Sequence, residues 1–177
     1  MRKPTHQLLC LFLALSFLNG CGYSTRTVDL KGAKNIFIEP FKNKINYGTE
    51  QTRNVYLPLL EVKITNAIAD RFLFDGNLKI AKKETADLIL QGELIGYQRD
   101  ALRYTENNDV QEYRITITIS MVLWDNVKQK PVWSEPNFSG DTTYFTTGSL
   151  AKSESAALQD ALTDLARRVV ERTIEDW

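Results

Sequence analysis

Cysteine and histidine are scarce in this sequence of 177 residues, which holds two cysteines and one histidine. His6 and Cys10 lie within the first 20 residues, so a chain that begins at residue 21 keeps one cysteine and no histidine. Such a chain lacks a histidine-activated nucleophile, a histidine general base and a cysteine or histidine zinc site. We therefore expect no catalytic residues, no metal site and no cofactor. A disulfide within one such chain is also excluded.

An excess of charge of one sign is also missing, because 22 lysines and arginines face 22 acidic residues. Removal of residues 1–20 takes away Arg2 and Lys3 and leaves 20 basic against 22 acidic side chains. Binding of nucleic acid depends on a basic surface, which this composition does not supply. Nucleic acid is therefore not an expected partner.

The first 21 residues carry the pattern of a bacterial lipoprotein signal. A basic start is followed by an apolar run over residues 8–18 and by Gly20 directly before Cys21. A membrane span needs about 20 apolar residues, and this run is shorter. The pattern therefore predicts a signal peptide over residues 1–20 that is removed by cleavage. Cys21 then carries a diacylglycerol on its thiol and a further acyl chain, such as palmitate, on its amino group. An ordinary secreted protein is the alternative.

Gly22 predicts the membrane in which the anchor is held. Lipoproteins of the inner membrane typically carry Asp after the lipidated cysteine, so we expect the periplasmic leaflet of the outer membrane. The polar residues 21–34 read as a tether of about a dozen residues, at most about 40–50 Å long. Residues 35–177 are expected to form a single domain.

Apolar spacing predicts an α+β fold. Residues 36–41 read as a short strand and residues 42–52 as a loop, whereas Leu60, Ile64, Ile68 and Phe72 recur at helical spacing before Gly76. Further strands are predicted at residues 78–81, 87–97, 113–124 and 132–145, the third with strict alternation of apolar and polar residues. A last helix is predicted over residues 149–174. We expect two helices packed on one face of a small, mostly antiparallel sheet of four to five strands.

A meander of the three long strands would bring several cations to one end of the sheet. The turn between residues 97 and 113 and the junction after residue 145 lie at this end, with Lys152 in the first turn of the last helix. The predicted site consists of Arg99, Arg103, Arg114 and Lys152. With Tyr104, Tyr144 and Phe145 it suits an anionic amphiphile. Ordinary surface charges, neutralised by Glu106, Asp109 and Glu112, are the alternative.

Several short motifs follow one another along the chain: Gly20-Cys21-Gly22-Tyr23, the Ile-x-Ile-x-Pro-Phe strand of residues 36–41, Ala86-Asp87-Leu88, Gln111-Glu112-Tyr113-Arg114, Trp133 and an Ala-rich last helix before Trp177. In this order they resemble the LptE family, the lipopolysaccharide-assembly lipoproteins of the Gram-negative outer membrane. Residues 42–56 match no pattern of the family. The family fold also has two helices against a small sheet.

The resemblance implies a lipoprotein that sits in the lumen of the large β-barrel LptD as a plug and assembly factor, and that binds lipopolysaccharide. Arg99, Arg103, Arg114 and Lys152 would then be lipopolysaccharide-binding residues. A regulator of a cell-wall synthase is an alternative, because such lipoproteins share the lipobox and a strand similar to residues 86–92. The short tether favours work close to the membrane. A carboxylate-based enzyme that uses Asp87 with Glu93, or Glu106 with Glu112, is the third hypothesis.

Overall fold

The computed structural model describes residues 32–47 and 56–174. The predicted signal peptide, Cys21 and most of the tether lie outside the described residues, as do residues 48–55 and Trp177. In chain order the described elements are β1 (Asn35–Ile38), β2 (Lys42–Asn43), α1 (Leu60–Asp75), β3 (Lys79–Ile80), β4 (Leu88–Tyr104), β5 (Val110–Asp125), β6 (Lys130–Phe145) and α2 (Glu154–Ile174).

The strands form one mixed sheet of six strands in the order β3-β1-β4-β5-β6, with β2 also paired to β4. β1 runs parallel to both β3 and β4, and β2 runs parallel to β4. The α+β class is confirmed, but the prediction of four to five mostly antiparallel strands is wrong. The reason is that α1 connects β1 to β3 as a crossover, and a crossover returns the chain parallel to the first strand.

The β4–β5 hairpin is longer than the sequence predicts. β4 continues to Tyr104, seven residues past its expected end at Tyr97, and the turn shrinks to residues 105–109. Apolar alternation stops near Tyr97 because charged side chains follow it, yet the main chain still pairs with β5 as far as Val110. Arg99 and Arg103 therefore lie on a strand rather than in a turn.

A row of apolar side chains on β5 forms the centre of the core. The row is Ile115, Ile117, Ile119, Met121 and Leu123, all of them buried. The helices cover this face with Leu60, Ile64, Ile68 and Phe72 of α1 and with Leu158, Leu162, Leu165 and Val169 of α2. α2 passes so close to β6 that a Cβ at Gly140 would lie 2.6 Å from the backbone of Leu165. Glycine at this position therefore allows the close packing of helix on strand.

A recognisable cap ends α1, and another begins α2. α1 ends at Gly76 as predicted, where φ is 78° and the backbone N–H donates to the carbonyl of Phe72 at 3.0 Å. α2 begins at Glu154, five residues later than predicted, because the Ser153 hydroxyl accepts the N–H of Ala156 at 3.2 Å. Lys152 therefore precedes the helix, and the prediction that it lies in the first helical turn is wrong.

Candidate functional site

The end of the sheet that holds the 105–109 turn, the end of β6 and the start of α2 is called the distal end here. Glu112 of β5 pairs with Phe145, the last residue of β6. Phe145 also forms a bridge with Ala151, and its carbonyl accepts the N–H of Lys152 at 2.9 Å. The predicted meeting of this hairpin end with the junction before the last helix is thus confirmed.

Arg103 lies across the end of β5 and β6 at this distal end. Its Nε is 2.8 Å from Oε2 of Glu112, and its guanidinium is 5.9 Å from the centre of the Phe145 ring. The side chain of Glu112 is only 10% exposed, whereas that of Arg103 is 66% exposed. Arg103 therefore neutralises a nearly buried carboxylate and still presents most of its surface to solvent.

Lys152 lies two residues before the start of α2. Its Nζ is 2.7 Å from Oδ2 of Asp160, and its side chain is 53% exposed. Arg103 contacts the ring of Phe145 with its guanidinium, whereas Lys152 contacts the carbonyl with its main-chain N–H and directs its ammonium group to Asp160 on α2. The structure therefore brings these two predicted site residues to the same end of the sheet.

Arg99 and Arg114 lie on opposite faces of the sheet. Arg99 pairs in register with Ile115 of the core row and forms an ion pair with Glu154 at the start of α2. Arg114 pairs in register with Asp100 of β4 and faces away from the helices. Its Nε is 3.8 Å from Oδ2 of Asp141. The structure therefore does not gather the four predicted cations into one cluster, and each of them has a carboxylate partner.

Three tyrosines surround the Arg99–Glu154 pair under the start of α2. The hydroxyl of Tyr97 donates to Glu154 at 3.5 Å, and the Arg99 guanidinium is 4.9 Å from the centre of the Tyr113 ring. The rings of Tyr113 and Tyr144 stack with their centres 5.7 Å apart. The sequence prediction missed this cluster as a unit, although tyrosines at inward positions of three strands were a signal for it.

Burial controls the ionisation of the two inner tyrosines. It raises the pKa of Tyr97 to about 12, with a further increase from the negative charge of Glu154. Burial likewise raises the pKa of Tyr144 above its ordinary value. Both hydroxyls therefore stay protonated and uncharged at neutral pH.

Exposed apolar residues lie close in sequence to the two cations at the distal end. Leu102 and Tyr104 flank Arg103 on β4, and Leu150 precedes Lys152; their exposed fractions are 40%, 59% and 72%. A cation beside apolar surface suits a ligand that carries an anionic group on a hydrocarbon body. Such an anion would compete with Glu112 and Asp160 for the two cations.

Within residues 32–47 and 56–174, no group of three or more Asp, Glu, His or Cys side chains is placed to hold a metal ion. None of the helices in those ranges combines the length and the hydropathy that a membrane span needs.

Comparison with known proteins supplies a family match and several similar folds. A family model described as LptE, lipopolysaccharide-assembly, matches residues 33–173. No curated protein matches the chain. A Xanthomonas campestris protein of the DUF330 family is 16% identical with a TM-score of 0.55, and the match covers 81% of this chain and 85% of that one. Lipoprotein B from Nitrosomonas europaea is 15% identical with a TM-score of 0.51, covering 80% and 84%.

A hypothetical protein from Chlamydia trachomatis is 12% identical with a TM-score of 0.51, and the match covers 79% of this chain and 95% of that one. At such identities these likenesses concern the fold alone.

The ionisation of Tyr97 predicts a loss of stability in alkali. The folded state keeps its proton up to about pH 12, whereas the unfolded state releases it near pH 10. The free energy of unfolding should therefore be unaffected below pH 10 and should fall between about pH 10 and 12. Tyr97→Phe should remove on the order of 2 kcal/mol of this fall.

Urea unfolding at a series of pH values measures this fall in the free energy of unfolding. Tyr104→Phe, which changes an exposed tyrosine, is the control. An unchanged slope in Tyr97→Phe would contradict the assignment.

Proposed function

This chain belongs to the LptE family of lipopolysaccharide assembly, and on that premise we propose that it is an outer-membrane lipoprotein with three linked properties. It is anchored in the periplasmic leaflet through Cys21, it fills and helps to assemble an LptD-like barrel, and it binds lipopolysaccharide. In this proposal residues 1–20 are removed, residues 21–34 form the tether and residues 35–177 form the working domain. It has no catalytic role.

The face of the sheet away from the helices supports the role of a plug. Thr116, Thr118 and Ser120 lie on this face of β5, where they alternate with the buried apolar row and are partly exposed. The lumen of an outer-membrane barrel is polar, so the side chains of such a face can contact either the barrel wall or water with little desolvation penalty.

The contacts of Phe145 carry the proposal for lipopolysaccharide. Arg103 contacts this residue with its guanidinium and Lys152 with its main-chain N–H, and both side chains are more than half exposed. Arg103 can meet a phosphate with two parallel hydrogen bonds, and Lys152 adds a point charge. Leu102, Tyr104 and Leu150 would cover the first apolar carbons of the lipid.

Arg99 and Arg114 have different parts in this proposal. Arg114 lies on the same face as Glu112 and forms a long, exposed pair with Asp141, so it extends the cationic surface along β5. Arg99 is held against Glu154 and Tyr113, and it supports the distal end from the helix-covered face.

The first test concerns the anchor at Cys21. Mass spectrometry of the envelope protein should find Cys21 as the first residue, with its mass increased by a diacylglycerol and an acyl chain. Cys21→Ser should abolish both the modification and the fractionation with outer membranes. An envelope protein that begins at Met1, or an unmodified Cys21, would contradict the proposal.

The second test concerns the barrel. Tagged protein purified from detergent-solubilised outer membranes should retain one large barrel protein in a one-to-one complex, because obligate partners bury well over about 1,000 Å². Recovery of a folded bait without any barrel would refute the plug, and recovery of a cell-wall synthase in its place would support the alternative regulator.

The third test concerns the two cations at Phe145. Arg103→Glu combined with Lys152→Glu should weaken lipopolysaccharide binding by about tenfold or more, because exposed charge-assisted contacts are lost and repulsion replaces them. Added salt should weaken the wild-type binding only in part, because the apolar contacts do not depend on ionic strength. Binding of purified protein to immobilised lipopolysaccharide measures both effects.

The matched control is Arg167→Glu with Arg168→Glu, which reverses two exposed, ion-paired cations on α2. It should leave the affinity unchanged. Asp160→Asn should increase the affinity a few-fold, because it frees Lys152 from its partner. Equal binding by the folded double variant and the control would show that Arg103 and Lys152 are ordinary surface charges.

A further inference from the structure

The opposite end of the sheet, called the proximal end here, is formed by segments that are far apart in sequence. It consists of the start of β1, the last turn of α1, β3, residues 82–87 and the turn between β5 and β6. The N–H of Lys79 donates to the carbonyl of Lys34 at 2.9 Å, and the side-chain amide of Asn126 donates to the carbonyl of Ala86 at 2.9 Å. Asp87 accepts the N–H groups of Lys34 and Asn35. These contacts bind the segments into one surface.

Large apolar side chains are exposed at the proximal end. Phe74 and Leu73, in the last turn of α1, are 81% and 66% exposed, and Val127 in the β5–β6 turn is 74% exposed. Phe74 lies beyond the core-facing stripe of α1 and contacts the guanidinium of Arg71 at 5.3 Å. An exposed phenylalanine beside an exposed leucine is unfavourable in water, and it favours an apolar or interfacial neighbour.

Six lysines lie on or beside the segments that form the proximal end. The set is Lys34, Lys79, Lys82, Lys83, Lys128 and Lys130, all of them exposed. Lys83 pairs with Glu39 at 3.1 Å and Lys128 pairs with Asp125 at 3.2 Å. Among the residues that the structure describes, no carboxylate forms an ion pair with the other four. The same segments also carry Asp75, Glu84 and Asp87 outside ion pairs, so the net positive charge of the proximal end is small. Its four lysines outside ion pairs nevertheless differ from the four predicted cations of the distal end, which are all paired.

The chain also reaches the folded domain at this end. Residues 32–34 lead directly into β1, and Lys34 is hydrogen-bonded to β3 and to Asp87. A lipid anchor at Cys21 therefore holds the proximal end within about 40–50 Å of the membrane, even with the tether fully extended. Tethering raises the effective concentration of the membrane surface, so weak contacts are sufficient for docking.

We propose that the proximal end docks on the head groups of anionic phospholipid in the membrane that holds the anchor. The lysines meet the phosphates, and Phe74, Leu73 and Val127 enter the head-group layer, as in other interfacial protein surfaces. The inference rests on the lipidation of Cys21 in the proposed function. It does not depend on the barrel or on lipopolysaccharide.

The test uses residues 21–177 with the thiol of Cys21 coupled to a maleimide-bearing phospholipid, so that the tether exists whether or not cells lipidate the protein. The protein is held on vesicles of phosphatidylethanolamine with phosphatidylglycerol, or on vesicles of phosphatidylcholine alone. An acetylating reagent is added, and mass spectrometry follows each lysine. Lys79 and Lys82 should react about fivefold more slowly on the anionic vesicles. Lys44 and Lys63, exposed lysines away from this end, should react at equal rates on both and serve as the internal control.

A variant separates docking from simple attraction of counter-ions. Leu73→Ser with Phe74→Ser keeps every lysine but removes the apolar contacts, so it should lose most of the protection of Lys79 and Lys82. Equal acetylation of proximal and control lysines on anionic vesicles would overturn the proposal. Equal protection of all four lysines would also overturn it, because that result describes a non-specific approach to the membrane. Protection that appears only when a barrel protein is added would assign this surface to a protein partner instead.

Discussion

The apolar row on β5 lies between two helices on one side and a polar face on the other, and the other elements are arranged around it. Each second residue from Ile115 to Leu123 is buried, and the same residues are paired on both sides, with β4 and with β6. Because the side chains of a strand alternate, a shift of one residue in either pairing would place this row in solvent. The register therefore fixes which charges reach each end, and it places Glu112 beside both Arg103 and Phe145.

The sequence predicts the parts of the fold that depend on periodicity. The core stripe of α1, its end at Gly76 and the alternation in β5 all follow from the spacing of apolar residues, and the structure agrees. The parallel pairs escape prediction because periodicity marks the strands of β1, β3 and β4 but not which strands pair. β2 itself escapes prediction because its two residues are too few for any pattern. The extension of β4 escapes it too, because Arg99 and Arg103 interrupt the apolar alternation while their backbone keeps the ladder with β5.

The sequence likewise predicts some features of the candidate site and not others. That the hairpin end and the start of α2 come together follows from strand direction alone, so the placing of Arg103 and Lys152 at one end could be predicted. The alternation in β5 also predicts that Arg114 faces away from the apolar row, and the structure agrees. The face of Arg103 could not be predicted, because a register irregularity between Ala101 and Arg103 changes the alternation. The ion pairs with Glu154 and Asp160 depend on where α2 begins, and the hydroxyl of Ser153 decides that start.

The length of β4 determines how far apart the two ends of the sheet lie. Its 17 residues span about 55 Å at roughly 3.3 Å per residue, and two neighbouring strands of nearly equal length run beside it. Three long paired strands backed by two helices form a stiff unit, so its two ends stay a fixed distance apart. A lipid held at Phe145 would therefore lie at a fixed distance from the anchored end. The length of β4 would set that distance, in addition to the contacts that the domain makes with the lipid.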